Sequence, residues 1–112
     1  MKISDIIKSL DLKILSGQNG LPNEVRGGYV SDLLSDVIGN AKEGQIWITL
    51  QTHQNIIAVA ALKDISAIVL VRGAVPEEDT IEKSNKENIP VLVTDMDTFT
   101  FTGRLFELLK TE

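Results

Sequence analysis

Apolar positions along this chain repeat first at a helical period, then at a strand period, and then trade between the two. Ile3, Ile6, Ile7 and Leu10 fall at helical spacing around Ser4, a capping residue type, and Leu12 to Leu15 reads as a short strand. Gly17 to Asn23 holds two glycines, a proline and two asparagines and is the clearest loop. Val25 to Val30 reads as extended, weakened by Gly27-Gly28. Val30, Leu33, Leu34, Val37 and Ile38 then recur at i, i+3, i+4, i+7 and i+8, with Ser31 at the cap and Gly39 where a left-handed C-terminal residue belongs.

The second half is more regular. Ile46 to Leu50 is β-branched and aromatic, which predicts a strand. Asn55 to Lys63 is apolar almost all round, so it predicts a helix buried on more than one side. Ala67 to Val71 is an unbroken apolar run, the pattern of a strand covered on both faces. Pro76 suits the first position of a helix that continues through Glu77, Glu78 and Asp79, buries little beyond Ile81 and ends at Asn88. Pro90 opens the strand Val91-Leu92-Val93, and Asp97 or Thr98 caps a last helix with Phe101, Leu105, Leu108 and Leu109 on one face.

This alternation predicts an α/β fold: a mainly parallel sheet with right-handed crossover helices, in one layered domain over residues 1–112. Three strands added in one direction would place the three helices that follow them on one face. The other face then needs cover from the amino-terminal third or from a second copy. The all-round apolar helix Ile56 to Leu62 points to a homodimer.

Composition narrows the function classes. With 43% apolar residues the chain can form a core, so disorder is excluded. With no cysteine it has no disulfide and no thiolate metal site. No signal-peptide core and no bilayer-length apolar run is present, which predicts a cytoplasmic protein without a membrane partner. The net charge of −5, with bases scattered singly, argues against nucleic acid, whose binders usually carry a basic stripe.

Ligands of open parallel sheets bind beyond the carboxyl ends of the strands. Three such ends can be read: Leu50 before Gln51-Thr52-His53-Gln54-Asn55, Val71 before Arg72-Gly73, and Val93 before Thr94-Asp95-Met96-Asp97. Gln51, Thr52, His53 and Asn55 could form a donor-rich pocket wall, or Thr52, His53 or Asn55 could simply cap the next helix. Arg72 could supply the positive charge of an anion site, or pair with Glu77 or Asp95. Arg26, Gly27 and Gly28 combine a cation with close backbone approach, a way to hold phosphate or carboxylate, or else form a mere bend. Asp95 and Asp97 resemble half of a carboxylate metal site, but no further ligands are evident, so no metal and no cofactor is predicted. One histidine, no cysteine, no G-x-S-x-G element and no P-loop leave no catalytic residue to name.

Arg26 to Ser35 read against Gly44 to His53, together with Ile89-Pro90-Val91-Leu92 and Gly103 to Leu108, resembles the DRTGG-domain family over almost the whole chain. The name-giving motif departs from its pattern. It reads Glu24-Val25-Arg26-Gly27-Gly28, keeping the glycine pair but placing Arg26 where a small residue is expected. The resemblance implies an accessory unit of the kind found beside CBS domains and in phosphotransacetylases. It also implies a fold similar to the amino-terminal domain of HPr kinase/phosphorylase. Stand-alone relatives are often encoded near iron hydrogenases, and some carry a serine-kinase label, although the phosphate loop of such a kinase is missing here. The expected function is a non-catalytic regulatory domain sensing a small anion or nucleotide at the strand ends. The alternatives are a protein-interaction or scaffold module serving a metabolic or redox enzyme and, last, a phosphotransferase.

Overall fold

The computed structural model describes residues 1–111. Five strands form one sheet: β1 (Lys13–Ser16), β2 (Gly27–Val30), β3 (Gln45–Thr49), β4 (Ala67–Leu70) and β5 (Val91–Val93). Their order is β1-β5-β4-β3-β2, with β2 to β5 parallel and β1 antiparallel on the edge of β5. Five helices complete it: α1 (Ile3–Leu10), α2 (Leu34–Asn40), α3 (Asn55–Leu62), α4 (Glu78–Glu87) and α5 (Thr98–Lys110).

Strand alternation divides the core in two. Ile46, Ile48, Ala67, Val69 and Leu92 face one side, where Ile3, Ile6 and Leu10 of α1 and Phe101 and Leu105 of α5 bury them. Trp47, Ile68, Leu70 and Val91 face the other side, against Val37 of α2 and Ile56, Ile57, Val59 and Ala60 of α3. The three crossover helices, α2, α3 and α4, therefore share one face, as right-handed connections require. The expected trio of α3, α4 and α5 needs correcting: α5 follows the last strand, crosses nothing, and lies with α1 opposite. The amino-terminal segment does cover that second face.

The ground on which the sequence suggested a homodimer also changes. Helix α3 lies between α2 and α4, so its neighbours in the same chain bury Ile56, Ile57, Val59 and Ala60 while Ala58, Ala61 and Leu62 stay exposed. Helix α4 is more deeply seated than Ile81 alone suggested, because its inward side carries hydroxyls. Thr80 and Ser84 are fully buried. The Ser84 hydroxyl donates to Ile89 O (2.6 Å) and meets Ser16 Oγ at 2.8 Å, while Thr80 Oγ1 donates to Thr52 O (2.7 Å). Each buried polar atom is thus satisfied, which keeps its desolvation from counting against the fold.

Several helix ends differ from the sequence reading. Helix α1 begins at Ile3 because Asp5 Oδ2 accepts the Lys2 N–H at 2.8 Å, so Ser4 is inside the helix. Ser31 Oγ accepts the Leu33 N–H, but α2 starts only at Leu34 and runs through Gly39 to Asn40. Pro76 precedes α4 by two residues, with Glu77 at the cap. Asn88 ends α4 in a left-handed conformation (φ 57°), and Asp97 caps α5 by accepting the Thr100 N–H at 2.9 Å, both as expected.

One contact couples β2 and α2 to pH. The Tyr29 hydroxyl donates to both Asp36 oxygens (2.9 and 2.8 Å), and Asn40 Nδ2 donates to Oδ1 at 2.9 Å. The Ser31 hydroxyl, then these two groups, hold the Asp36 carboxyl below the usual aspartate range. A depressed carboxylate contributes stability above its unfolded pKa and loses it as pH falls through the folded value. Urea midpoints should therefore fall as pH drops below about 4, and Tyr29→Phe should flatten that dependence. An unchanged acid profile in Tyr29→Phe would show that the contact does not form in solution.

Candidate functional site

The carboxyl ends of β3, β4 and β5 do lie along one edge, and several of their polar groups bond within the loops themselves. Gln51 Nε2 donates to Asp32 O, while Asp32 Oδ1 accepts the Thr49 hydroxyl and the Leu50 N–H, all at 2.8 Å. Thr52 O takes the Glu77 N–H as well as the Thr80 hydroxyl. His53, the residue before the Gln54 cap of α3, accepts the Asn55 N–H on Nδ1 at 3.1 Å. Arg72 sits in a left-handed turn (φ 56°), with its N–H on Met96 O at 2.9 Å. The Thr100 N–H first, and the Arg72 charge last, lower the pKa of Asp97. None of the five best-formed hollows described among residues 1–111 is lined by Gln51, Thr52, His53, Asn55 or Arg72.

Arg26, Gly27 and Gly28 lie elsewhere, at the start of β2 and so toward the amino edge of the parallel strands. The eight residues nominated from sequence therefore form two groups at opposite edges of the sheet. The second group lines a groove. Strand β2 has no strand on its outer side, and α5 runs above it on the Phe101 side. Gly28 supplies no side chain to fill the gap between them, and a Cβ there would sit 3.3 Å from Leu105 Cδ2.

The stretch nearer Arg26 has a volume of about 380 Å³, walled by Gly27, Gly28 and Ile48 from the sheet and Leu105, Phe106 and Leu109 from α5. Among the described residues, the charged ones lining it are Arg26 and Lys110, both cations, in a chain of net charge −5. Arg26 has one weak, exposed partner, Glu43 at 4.0 Å, a contact of little energetic weight. Lys110 Nζ stands 5.6 Å from the centre of the Phe106 ring. The groove continues past Val30, Thr102 and Phe106 into a stretch of about 530 Å³ that reaches Thr98 and Phe99. Thr102 lines both stretches, and its buried Oγ1 is without a hydrogen-bond partner among the described residues.

A hollow of about 460 Å³ on the other side of Arg26 suits anions poorly, since Glu24, Glu43, Asp64 and Glu87 line it. The groove combines apolar walls and two cations, elements suited to a ligand with a flat or apolar body and an anionic end. Sequence reasoning missed Thr102, Phe106, Leu109 and Lys110. The available signal was the i, i+7 pair Phe99 and Phe106, a second apolar stripe on α5 beside the buried one. Among the described residues, no group of three or more His, Asp or Glu is placed to hold a metal, and no helix is long and apolar enough to cross a membrane.

Fold and groove together define a small open-sheet α/β domain with one edge strand left uncovered. The chain belongs to the DRTGG domain family, whose profile matches residues 5–108. Among solved structures, the chain is similar to the CBS and DRTGG domains of the regulatory region of Clostridium perfringens pyrophosphatase, complexed with the activator diadenosine tetraphosphate. The TM-score is 0.70 at 21% identity, over 90% of this chain and 44% of that one. This chain thus spans less than half of that regulatory region. No curated protein matches the sequence.

Proposed function

We propose that this chain is a non-catalytic regulatory domain that senses a small anionic or nucleotide ligand, and that the groove between β2 and α5 receives it. The carrying observation is the pairing of Arg26 and Lys110 with the apolar walls of that groove. The flat apolar body of a base would rest against Leu105, Phe106 and Leu109, and a phosphate or carboxylate would meet the two cations. Support also comes from the related pyrophosphatase region, which is a regulatory region complexed with a nucleotide activator. The absence of any phosphate loop in the sequence weighs against a phosphotransferase.

Thermal denaturation in the presence of mononucleotides, dinucleoside polyphosphates, acyl phosphates and organic acids tests this reading, because a ligand of the folded state raises the melting temperature. At least one anionic class should produce a saturable rise. The double variant Arg26→Ala with Lys110→Ala should weaken that binding by roughly 10-fold or more, as loss of charge-assisted hydrogen bonds predicts. A flat response across the panel would reject the sensing role and favour the protein-interaction alternative.

A further inference from the structure

Helix α5 shows a second apolar stripe to solvent. Phe99 is 89% exposed and Phe106 62% exposed, and Gly103 lies between them on the same side of the helix. After proline, glycine is the least favourable residue in a helix interior, yet Gly103 stands in the middle of these thirteen residues. Among the described residues nothing requires it to be small, since a Cβ there would meet no atom within 4 Å. A shallow hollow of about 530 Å³ runs along one flank of the stripe, against Val30, Thr98 and Thr102. Another of about 660 Å³ runs along the other flank, against Leu10, Thr100 and Leu108. Each exceeds the roughly 150 Å³ in which a benzene ring fits.

We infer that two copies of the chain join through α5 alone, the helices crossing antiparallel at Gly103 with the rings of each in the hollows of the other. A glycine at the crossing lets the axes approach to the short end of the about 8–10 Å usual for packed helices. Three observations favour a second copy as the occupant. Phe99 lies four residues before Gly103 and Phe106 three after it, so an antiparallel copy sets Phe99 against the partner's Phe106. That self-complementarity is what a two-fold interface requires. Charge agrees, because α5 has Asp97 at its cap and Lys110 in its last turn. An antiparallel copy brings each end beside its opposite and opposes the helix dipoles, whereas a parallel copy would bring like to like. Area agrees as well. At roughly 150–250 Å² per aromatic side chain, the exposed parts of Phe99 and Phe106 supply about 300 Å² per copy. Val30, Thr102 and the stems of Arg104, Glu107 and Lys110 extend this toward the about 600 Å² per partner of the smaller stable interfaces. The stretch of groove beside Arg26 plays no part in the contact, so the inference does not rest on a ligand there.

Sedimentation of the intact chain at micromolar concentration should give a dimer. Phe99→Asp combined with Phe106→Glu, with its circular dichroism unchanged, should raise the dissociation constant by about 30-fold or more, the scale of a central interface residue pair. Gly103→Gln places a good helix former where its own chain has room, so the fold should be kept or strengthened while dimerisation weakens by about 10-fold or more. A merely structural role for Gly103 would not separate the two readings in that way. The chain has no cysteine of its own, so single cysteines report the crossing. Mild oxidation should link Gly103→Cys, whose Cα atoms meet at the crossing within disulfide reach. It should leave Lys110→Cys unlinked, because antiparallel helices hold their carboxyl ends apart. A monomeric wild-type chain would overturn the inference and leave the stripe to a different protein. A dimer indifferent to both the phenylalanine and the glycine changes, or one linked through Lys110→Cys and not through Gly103→Cys, would overturn it too.

Discussion

Phe101→Ala is expected to destabilise the domain by about 4 kcal/mol and to lower its melting temperature by roughly 15 °C. Phe101 is fully buried and, with Leu105, is the part of α5 that fills the half-core shared with α1. Removing the ring leaves a cavity between a helix and a sheet that are both anchored elsewhere, so collapse is limited and the void persists. A loss of that size is a large share of the about 5–15 kcal/mol that holds a typical domain together. Because α5 also forms one wall of the groove, ligand-induced stabilisation should shrink with it. Calorimetry measures both effects. A loss below about 1 kcal/mol would mean that α5 is not seated as described.

Gly17→Ala should be nearly as damaging, at about 3 kcal/mol, for a different reason. Gly17 is left-handed (φ 73°), and an added Cβ would press into Ile89 O and lie 2.5 Å from the carbonyl carbon and 2.7 Å from Pro90 Cα. These are backbone atoms at the entry to β5 and cannot swing aside as a flexible side chain can. The Gly17 N–H meanwhile donates to Asn85 Oδ1 at 2.8 Å, tying β1 to α4. Relieving the clash would break that bond and disturb the nearby Ser16–Ser84 contact. Urea unfolding of Gly17→Ala beside Gly39→Ala makes the comparison direct, since a Cβ at Gly39 meets nothing within 4 Å. Equal midpoints would contradict the close approach.

The fold was largely legible because the chain announces its strands and ends its helices with chemistry that acts locally. Trp47 and Ile48, the run from Ala67 to Val71, Asn88 and Asp97 each determine their element through their own backbone preferences or burial. Local signals could not show which face α5 would take, because the apolar side of Phe101 and Leu105 fits either face of the sheet and is placed by packing with α1. They also could not show that Thr80 and Ser84 are core positions, since their burial depends on acceptors at Thr52 and Ile89, distant on the chain or across a turn. The candidate site was half legible. Arg26, Gly27 and Gly28 do line a groove, but its other wall comes from Thr102 to Lys110, some seventy-five residues later and adjacent only after folding. The Gln51 to Asn55 segment is ambiguous because polar residues at a strand end serve equally well as a pocket wall and as loop ties, and here Gln51 and His53 bond within the loops.

Helix α5 has two duties at once, with Phe101 and Leu105 plugged into the interior and Phe106, Leu109 and Lys110 forming a wall of the groove. A rigid rod with one side in the core and the other in the groove cannot shift on one side alone. Whatever tilts its carboxyl end changes the width of the groove, and whatever fills the groove fixes the tilt by the same free energy.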